Sequence, residues 1–199
     1  MKPHLDITAV ILAGGRGSRM GGEDKGLIEL HGEPLIQHVI AAIEPQVGHV
    51  LINANRNLSR YRQFGHPVIA DSLADFQGPL AGFLAAMQAL STADMVTLPC
   101  DGPLLPDDLV ERLIKARDKA QAEIAVAHDG KRLQPVYALI PKQLRDSLQR
   151  YLNGGDRKID LWYAKHRVAH ADFSDLPRTF VNINTPQEKK RLQDGQSVA

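Results

Sequence analysis

The hydrophobic positions of this chain alternate between short apolar runs and longer segments with helical spacing. Runs typical of buried strands occur at residues 7–12, 50–55, 67–70, 94–101, 123–129, 134–140 and 167–173. Apolar residues spaced three and four apart, with flanking prolines and glycines, predict helices over residues 35–47, 80–90, 107–119 and 141–152, and a short polar helix near 58–64. Repeated strand–helix alternation predicts an α/β fold with three layers, a mostly parallel sheet carrying helices on both faces.

Prolines and glycines at the predicted boundaries agree with this division into strands and helices. Pro34 introduces the first helix, and Gly154 and Gly155 follow the last predicted one. The chain has no internal repeat, low-complexity tract or obvious linker. We therefore expect one domain over residues 1–199, with a boundary near residue 103 that separates functional halves and not folding units.

Length and charge narrow the functional classes. A chain of 199 residues with 43% hydrophobic content can bury a substantial core. Lys and Arg total 24 against 23 acidic residues, which gives no electrostatic case for binding nucleic acid or an anionic membrane. The amino terminus does not resemble a secretory signal, no apolar run approaches the roughly 18 residues of a spanning helix, and the single Cys100 cannot form an internal disulfide. We expect a cytosolic protein that binds small ligands.

The strand at residues 7–12 leads into a loop that is rich in glycine. Its glycines stand at positions 14, 15, 17, 21 and 22, so few Cβ atoms prevent the backbone N–H groups from turning onto an anion. Arg19 and Lys25 supply a guanidinium and an ammonium that could neutralise phosphoryl oxygens. The segment predicts a site for a nucleotide's phosphates. An ordinary strand-to-helix turn with two surface cations is the alternative.

Two familiar phosphate-binding loops do not match this segment. The Walker pattern requires Lys directly after its last glycine, but Gly22 is followed by Glu23. The dinucleotide pattern requires a third glycine where this chain has Met20. A P-loop hydrolase and an NAD-dependent dehydrogenase are both disfavoured.

Polar residues that end the predicted strands are candidates for ligand contacts. Asp101 closes the strand 94–101, and one carboxylate with substrate phosphates and water is sufficient to hold Mg²⁺. Asn53, Asn55 and Asp71 end the second and third strands, where amides and carboxylates can bind a base edge or ribose hydroxyls. Ordinary turn chemistry is the alternative for all four residues.

Two further segments suit flat heterocycles. The sequence GPLAG at residues 78–82 places small residues where a base could approach the backbone. The alternative is a proline-started helix packed closely on the sheet, and both interpretations can hold at once. Asn182 and Asn184 alternate with Val181 and Ile183, which predicts a strand with both amides on one face. A solvated strand face is the alternative for these asparagines.

The motif LAGGRGSRMGGEDKGL closely resembles the signature loop of the molybdenum cofactor guanylyltransferases. The resemblance covers nearly the whole chain, because LINANR, DSLADFQGPLAG, LPCDGP and FVNINTP follow in the order that this family shows. It implies a Rossmann-like nucleotidyltransferase fold. It also implies that GMP passes from GTP to the terminal phosphate of molybdopterin, with Mg²⁺ as cofactor and pyrophosphate as second product.

The resemblance also implies roles for individual positions. Arg19, Lys25 and Asp101 are expected to be catalytic, with Asp101 as the metal ligand. Residues 1–102 are expected mainly to bind GTP, and residues 103–199 mainly molybdopterin, through Asn182 and Asn184. The expected GTP contacts are Leu12, Ala13, Gly14, Gly15, Lys25, Asn53, Asp71, Gly78, Pro79, Gly82 and Asp101. Transient contact with molybdenum-inserting proteins and with recipient oxidoreductases is implied as well.

Three alternatives stay open. Sugar-phosphate nucleotidyltransferases with a similar loop usually continue RLxPLT after the arginine, whereas here Arg19 is followed by MGGEDKG. Relatives that transfer CMP to molybdopterin tend to show LAAG in place of LAGG. A protein that binds GTP without turning it over would belong to a different class, and release of pyrophosphate separates it from the enzymes.

Overall fold

The computed structural model of the protein describes residues 2–13, 24–72, 78–176, 178–183 and 185–193. The strands in this part of the chain are β1 (His4–Leu12), β2 (Glu29–Leu30), β3 (Glu33–Pro34), β4 (Val47–Asn53), β5 (Val68–Ile69), β6 (Asp94–Pro99), β7 (Ile124–His128), β8 (Leu133–Pro141) and β9 (Val168–Asp172). The α-helices are α1 (Leu35–Ile43), α2 (Leu58–Tyr61), α3 (Pro79–Ala89), α4 (Leu109–Ala120), α5 (Arg145–Asn153), α6 (Ile159–Tyr163) and α7 (Pro186–Gln193).

Seven strands form one sheet in the order β5-β4-β1-β6-β8-β7-β9. Only β8 is antiparallel to its neighbours among these strands, which confirms the prediction of a mostly parallel sheet. The chain proceeds outward from β1 to β4 and β5, and then returns to the other side of β1 with β6. This reversal creates a topological switch point beside β1, where α/β sheets bind ligands.

Alternate residues of the central strands enter two hydrophobic cores, one on each face of the sheet. In β1, Ile7, Ala9 and Ile11 face a core shared with α1 and α4. Val10 faces the other core, which contains side chains from α3, α5 and α6. Side chains of a strand point alternately to its two faces, so burial on both faces requires helices on both. The expected three-layer arrangement is confirmed.

Several predicted element boundaries are wrong. Helix α1 ends at Ile43 and Val47 begins β4, whereas one helix over residues 35–47 was expected. Pro45 explains the early end, because proline lacks the N–H that continues a helix. Likewise, Pro141 still belongs to β8, and α5 begins only at Arg145. The short hairpin β2–β3 and the helices α6 and α7 were not predicted from the sequence.

The described helices were also compared with the length and hydropathy that a bilayer requires. None of them combines enough residues with enough apolar character to cross a membrane.

Helix α3 packs very closely on the ends of β1 and β4, and Gly82 makes this approach possible. A Cβ atom at position 82 would lie 2.4 Å from Oδ1 of Asn53 and 2.9 Å from Cδ2 of Leu12. Both distances are shorter than van der Waals contact, so the small residue is required by packing.

Gly82→Ala is therefore expected to destabilise the protein, although alanine favours a helix by about 1 kcal/mol over glycine. Overpacking of this kind costs about 1–3 kcal/mol, and the Asn53 side chain would have to move. Urea unfolding of the wild type and the variant measures the effect. Gly154→Ala is the control, because its Cβ would meet its nearest neighbour at 3.3 Å with an ordinary backbone conformation. Equal stability of the wild type and Gly82→Ala would contradict the packing argument.

Candidate active site

The ends of β1, β4 and β6 lie side by side at the switch point, and we call this region the carboxyl edge. Leu12 is in register with Asn53 on one side and with Pro99 on the other. Two hydrogen bonds extend the ladder beyond the strands, from Ala13 N to the Asn53 carbonyl (2.8 Å) and from Cys100 N to the Leu12 carbonyl (3.0 Å). The fold thus places Leu12, Ala13 and Asn53 together, directly next to the turn that carries Asp101.

An ion pair between Lys25 and Asp101 lies at this edge. Lys25 Nζ donates to Oδ2 of Asp101 at 3.1 Å, and the two side chains are 26% and 11% exposed. Asp101 follows β6 by two residues, while Lys25 begins a 3-10 turn over Lys25–Leu27. Limited exposure strengthens electrostatic interactions relative to water. The pair offers one cation to a phosphate and one carboxylate to a metal ion.

Cys100 lies between these charged groups but is chemically quiet. Burial raises the pKa of its thiol well above the ordinary value. The carboxylates of Asp101 and Asp24 raise this pKa further, and the Lys25 ammonium only partly opposes them. A thiol that stays protonated is a poor nucleophile. This agrees with the interpretation of Cys100 as a packing residue.

Asn53, Asn55 and Asp71 form one hydrogen-bonded group beside the ion pair. The Nδ2 atoms of Asn53 and Asn55 donate to Oδ1 and Oδ2 of Asp71 at 2.9 and 2.8 Å, and Asp71 N donates to Oδ1 of Asn55 at 2.8 Å. A carboxylate can accept about four hydrogen bonds. Asp71 therefore retains capacity for N–H donors of a base, in an orientation that the two amides hold.

The start of α3 lies next to this hydrogen-bonded group. Gly78 has a φ of +82°, a conformation that glycine adopts without strain, and Pro79 is the first helical residue. Gly82, one turn later, lies against Asn53. The predicted nucleotide contacts Gly78, Pro79 and Gly82 thus belong to the same region as Asn53 and Asp71.

The carboxy-terminal segment returns to the carboxyl edge, although not as a strand. Residues 181–183 belong to no strand, so the predicted strand with two aligned asparagines is wrong in its described part. Instead, Ile183 N donates to the Asp101 carbonyl at 2.9 Å. Because this bond joins Ile183 to a turn and not to a neighbouring strand, no ladder forms. It nevertheless places Asn182 next to the candidate metal ligand.

The buried side chain of Tyr137 lies next to Asn182. Its hydroxyl lies 3.5 Å from Oδ1 of Asn182, and a Cβ at Gly102 would lie only 2.1 Å from the same hydroxyl. Burial, with a smaller contribution from the charge of Asp101, raises the pKa of Tyr137. The hydroxyl therefore remains a donor, and Asn182 can direct its amide N–H groups away from it.

Some predicted site residues lie outside the described residues. They are Gly14, Gly15, Arg19 and Asn184. The interpretation of the glycine-rich loop as a phosphate site stays a prediction.

Sequence reasoning missed a buried polar cluster around Asp24, the residue next to Lys25. Asp24 accepts hydrogen bonds from Tyr61 Oη (2.6 Å) and Asn57 Nδ2 (2.9 Å), and Nε of Arg56 lies 3.5 Å from the same carboxylate. Its position next to Lys25 was the only local signal. Nothing in the sequence near Asp24 shows that residues more than 30 positions away would surround it.

Comparison with solved structures shows proteins of the same fold. Molybdopterin-guanine dinucleotide biosynthesis protein A from Archaeoglobus fulgidus superposes with a TM-score of 0.75 at 24% identity, over 94% of this chain and 97% of that one. A nucleotidyl transferase from Methanothermobacter thermautotrophicus superposes with a TM-score of 0.73 at 20% identity, over 95% and 96% of the two chains. These likenesses confirm the Rossmann-like nucleotidyltransferase fold.

Comparison of the amino-acid sequence with those of known proteins identifies the family. The family model described as the MobA-like NTP transferase domain matches residues 9–171. The molybdenum cofactor guanylyltransferase of Shewanella sediminis is 54% identical over 190 residues, which cover 96% of this chain and 97% of that protein. The enzyme of the same name from Shewanella loihica is 52% identical over 98% of both chains. This chain therefore belongs to the molybdenum cofactor guanylyltransferase family of MobA-like NTP transferases.

Proposed function

We propose that the protein transfers GMP from GTP to the terminal phosphate of molybdopterin, releasing pyrophosphate and forming molybdopterin guanine dinucleotide. The observation that carries this proposal is the Lys25–Asp101 pair at the switch point, next to the Asn53–Asp71 group. The first can serve the phosphates and the second a base. Relatives of more than 50% identity that are named for guanylyl transfer support the same reaction.

The reaction requires little covalent chemistry from the protein. The attacking phosphate oxygen is already anionic, so no general base is needed, and a protonated Cys100 is not suited to form an intermediate. Catalysis then depends on in-line positioning and on neutralising charge, as is general for phosphoryl transfer. Lys25 meets this need on the triphosphate, and we assign the same task to Arg19.

The residues at the carboxyl edge fit a divalent metal ion, which we propose to be Mg²⁺. Magnesium is commonly held by one or two carboxylates together with substrate phosphates and water. Asp101 offers such a carboxylate, and Lys25 holds it through Oδ2. A bound Mg²⁺ would lower the negative charge of the phosphates. Asp101 would hold it, and Lys25 would keep that carboxylate in place.

Guanine recognition is assigned to Asp71 with Asn53. Guanine presents N–H donors on its base-pairing edge, and a carboxylate held by two amides is a suitable acceptor. Leu12, Ala13, Gly78, Pro79 and Gly82 border the same space, and Gly14 and Gly15 are included by their place in the loop. These assignments explain why the first half of the chain, residues 1–102, is proposed to bind mainly GTP.

Molybdopterin is assigned mainly to residues 103–199. Asn182 supports this assignment because the Ile183–Asp101 bond holds it beside the proposed metal ligand. Asn184 is assigned to the same ligand by its sequence position. From the family resemblance we also propose transient complexes with molybdenum-inserting proteins and recipient oxidoreductases, in the cytoplasm.

Lys25→Ala and Asp101→Asn are each expected to lower turnover by about 10²-fold or more, the effect of removing one group that stabilises a transition state. Pyrophosphate release from GTP with Mg²⁺ and molybdopterin measures this. Asp101→Asn should also require more Mg²⁺ for half-maximal rate. Lys115→Ala, which removes an exposed cation of α4, is the control. Near-full activity of both site variants would refute the assignment, and GTP binding without pyrophosphate release by the wild type would indicate an adaptor.

Comparison of the four nucleoside triphosphates tests the base assignment. GTP should react fastest, and Asn53→Ala should raise the KM for GTP more than it lowers kcat, because the amide orients the base-binding carboxylate and contacts no reacting atom. The variant should also narrow the preference for GTP over ATP and CTP. A faster reaction of the wild type with CTP would favour a cytidylyltransferase. Transfer of the nucleotide to a sugar phosphate would favour a sugar-phosphate nucleotidyltransferase.

A further inference from the structure

The Asp24 carboxylate is buried at the exit of the glycine-rich loop, and the proposed mechanism does not use it. Its side chain is 4% exposed. The Tyr61 hydroxyl donates to Oδ1 at 2.6 Å and the Asn57 amide donates to Oδ2 at 2.9 Å. Arg56 Nε lies 3.5 Å from Oδ2. Burial of an ionised carboxylate is costly unless hydrogen bonds and opposite charge compensate it, and this cluster provides both.

The cluster holds the backbone that carries Lys25. The Asp24 carbonyl accepts from Leu27 N at 2.9 Å, which closes the turn Lys25–Leu27. Within this turn, Gly26 lies between Tyr61 and Cys100, because an added Cβ would be 2.7 Å from Tyr61 Oη and 3.2 Å from Cys100 Sγ. The turn is thus anchored at Asp24, the residue directly before it, and packed at its middle residue, Gly26. Little freedom remains for the backbone beneath the ammonium.

The same cluster is continuous with the proposed base site. Asn57 has a left-handed backbone with a φ of 53°, which asparagine tolerates better than most residues. It lies only a few residues after Asn53 and Asn55, which bind Asp71. A segment of five residues therefore contacts the base-binding carboxylate at one end and Asp24 at the other.

We propose that Asp24 is a positioning residue that holds the Lys25 ammonium at the phosphate site and sets its distance from the base site. The proposal rests on the proposed function. Both oxygens of the Asp24 carboxylate already accept hydrogen bonds, from Tyr61 and Asn57, so we assign its effect to the position of Lys25 and not to a substrate contact. Because an error of about 1 Å in the position of a catalytic group can cost about 10²-fold in rate, such an anchor has a measurable kinetic consequence.

A double-mutant cycle tests the proposal. Asp24→Asn preserves the shape but cannot accept from Tyr61 and Asn57 together, and it loses the charge that faces Arg56, so kcat/KM for GTP should fall by about tenfold or more. In the Lys25→Ala background the same substitution should cost less than about threefold, since residues that act through one another are not additive. GTP affinity, measured by calorimetry without molybdopterin, should follow the same pattern.

Matched controls separate positioning from loss of stability. Asp94→Asn makes the same chemical change at the first residue of β6, which lies at the other end of this strand from the proposed site. Oδ2 of Asp94 lies 2.9 Å from Nη1 of Arg117. Tyr61→Phe removes one donor to Asp24, and its control Tyr151→Phe removes a hydroxyl that donates to the Lys158 carbonyl at 2.9 Å. Asp24→Asn and Tyr61→Phe should lower kcat/KM and GTP affinity, whereas both controls should leave them unchanged.

Three outcomes would overturn the proposal. They are unchanged kinetics and GTP affinity in Asp24→Asn, an equal loss with and without Lys25, and an equal loss in the controls. If Asp24→Asn does not fold, the cycle with Tyr61→Phe decides by the same criteria. Absence of guanylyl transfer by the wild type would refute the proposed function alone, because the affinity cycle tests the anchor without any turnover.

Discussion

The ion pair between Lys25 and Asp101 joins two parts of the chain that are 76 positions apart, and the proposed site depends on it. The two side chains are only 26% and 11% exposed, and the attraction between opposite charges is stronger there than in bulk water. The pair exists only because β6 returns to the side of β1, which places the turn after β6 against the turn that begins at Lys25. Topology and electrostatics are therefore inseparable here.

Three glycines near this pair allow polar side chains to pack closely against the backbone. Gly82, Gly26 and Gly102 each lie where a Cβ would meet a polar side-chain atom, at 2.4 Å from Asn53 Oδ1, 2.7 Å from Tyr61 Oη and 2.1 Å from Tyr137 Oη. The three glycines belong to α3, to the Lys25 turn and to the Asp101 turn. In each case the absence of a Cβ atom lets a polar side chain pack directly against the backbone of a segment at the candidate site. A site supported in this way is preorganised, which is what charge-stabilising catalysis requires.

The two proposed functional halves share one β-sheet. Strand β6 of the first half pairs with β8 of the second, so the sheet continues across the boundary near residue 103. The segment at residues 181–183 then returns to the first half through the Ile183–Asp101 bond. A division into a nucleotide half and a pterin half concerns ligands, whereas stability is common to both.

The local sequence pattern was sufficient for the class of the fold and for the regions of the site. Apolar periodicity marks the strands and helices because each element must bury one or two faces, and polar residues after strands mark the carboxyl edge because parallel strands end together. The same pattern predicted a place at this edge for Asn53, Asp71 and Asp101, and their role in binding stays a prediction. The end of α1, the non-strand course of residues 181–183 and the surroundings of Asp24 were decided only in the tertiary structure. These features depend on contacts between residues distant in sequence, and a local pattern carries no information on which distant groups will supply a hydrogen bond or fill a space.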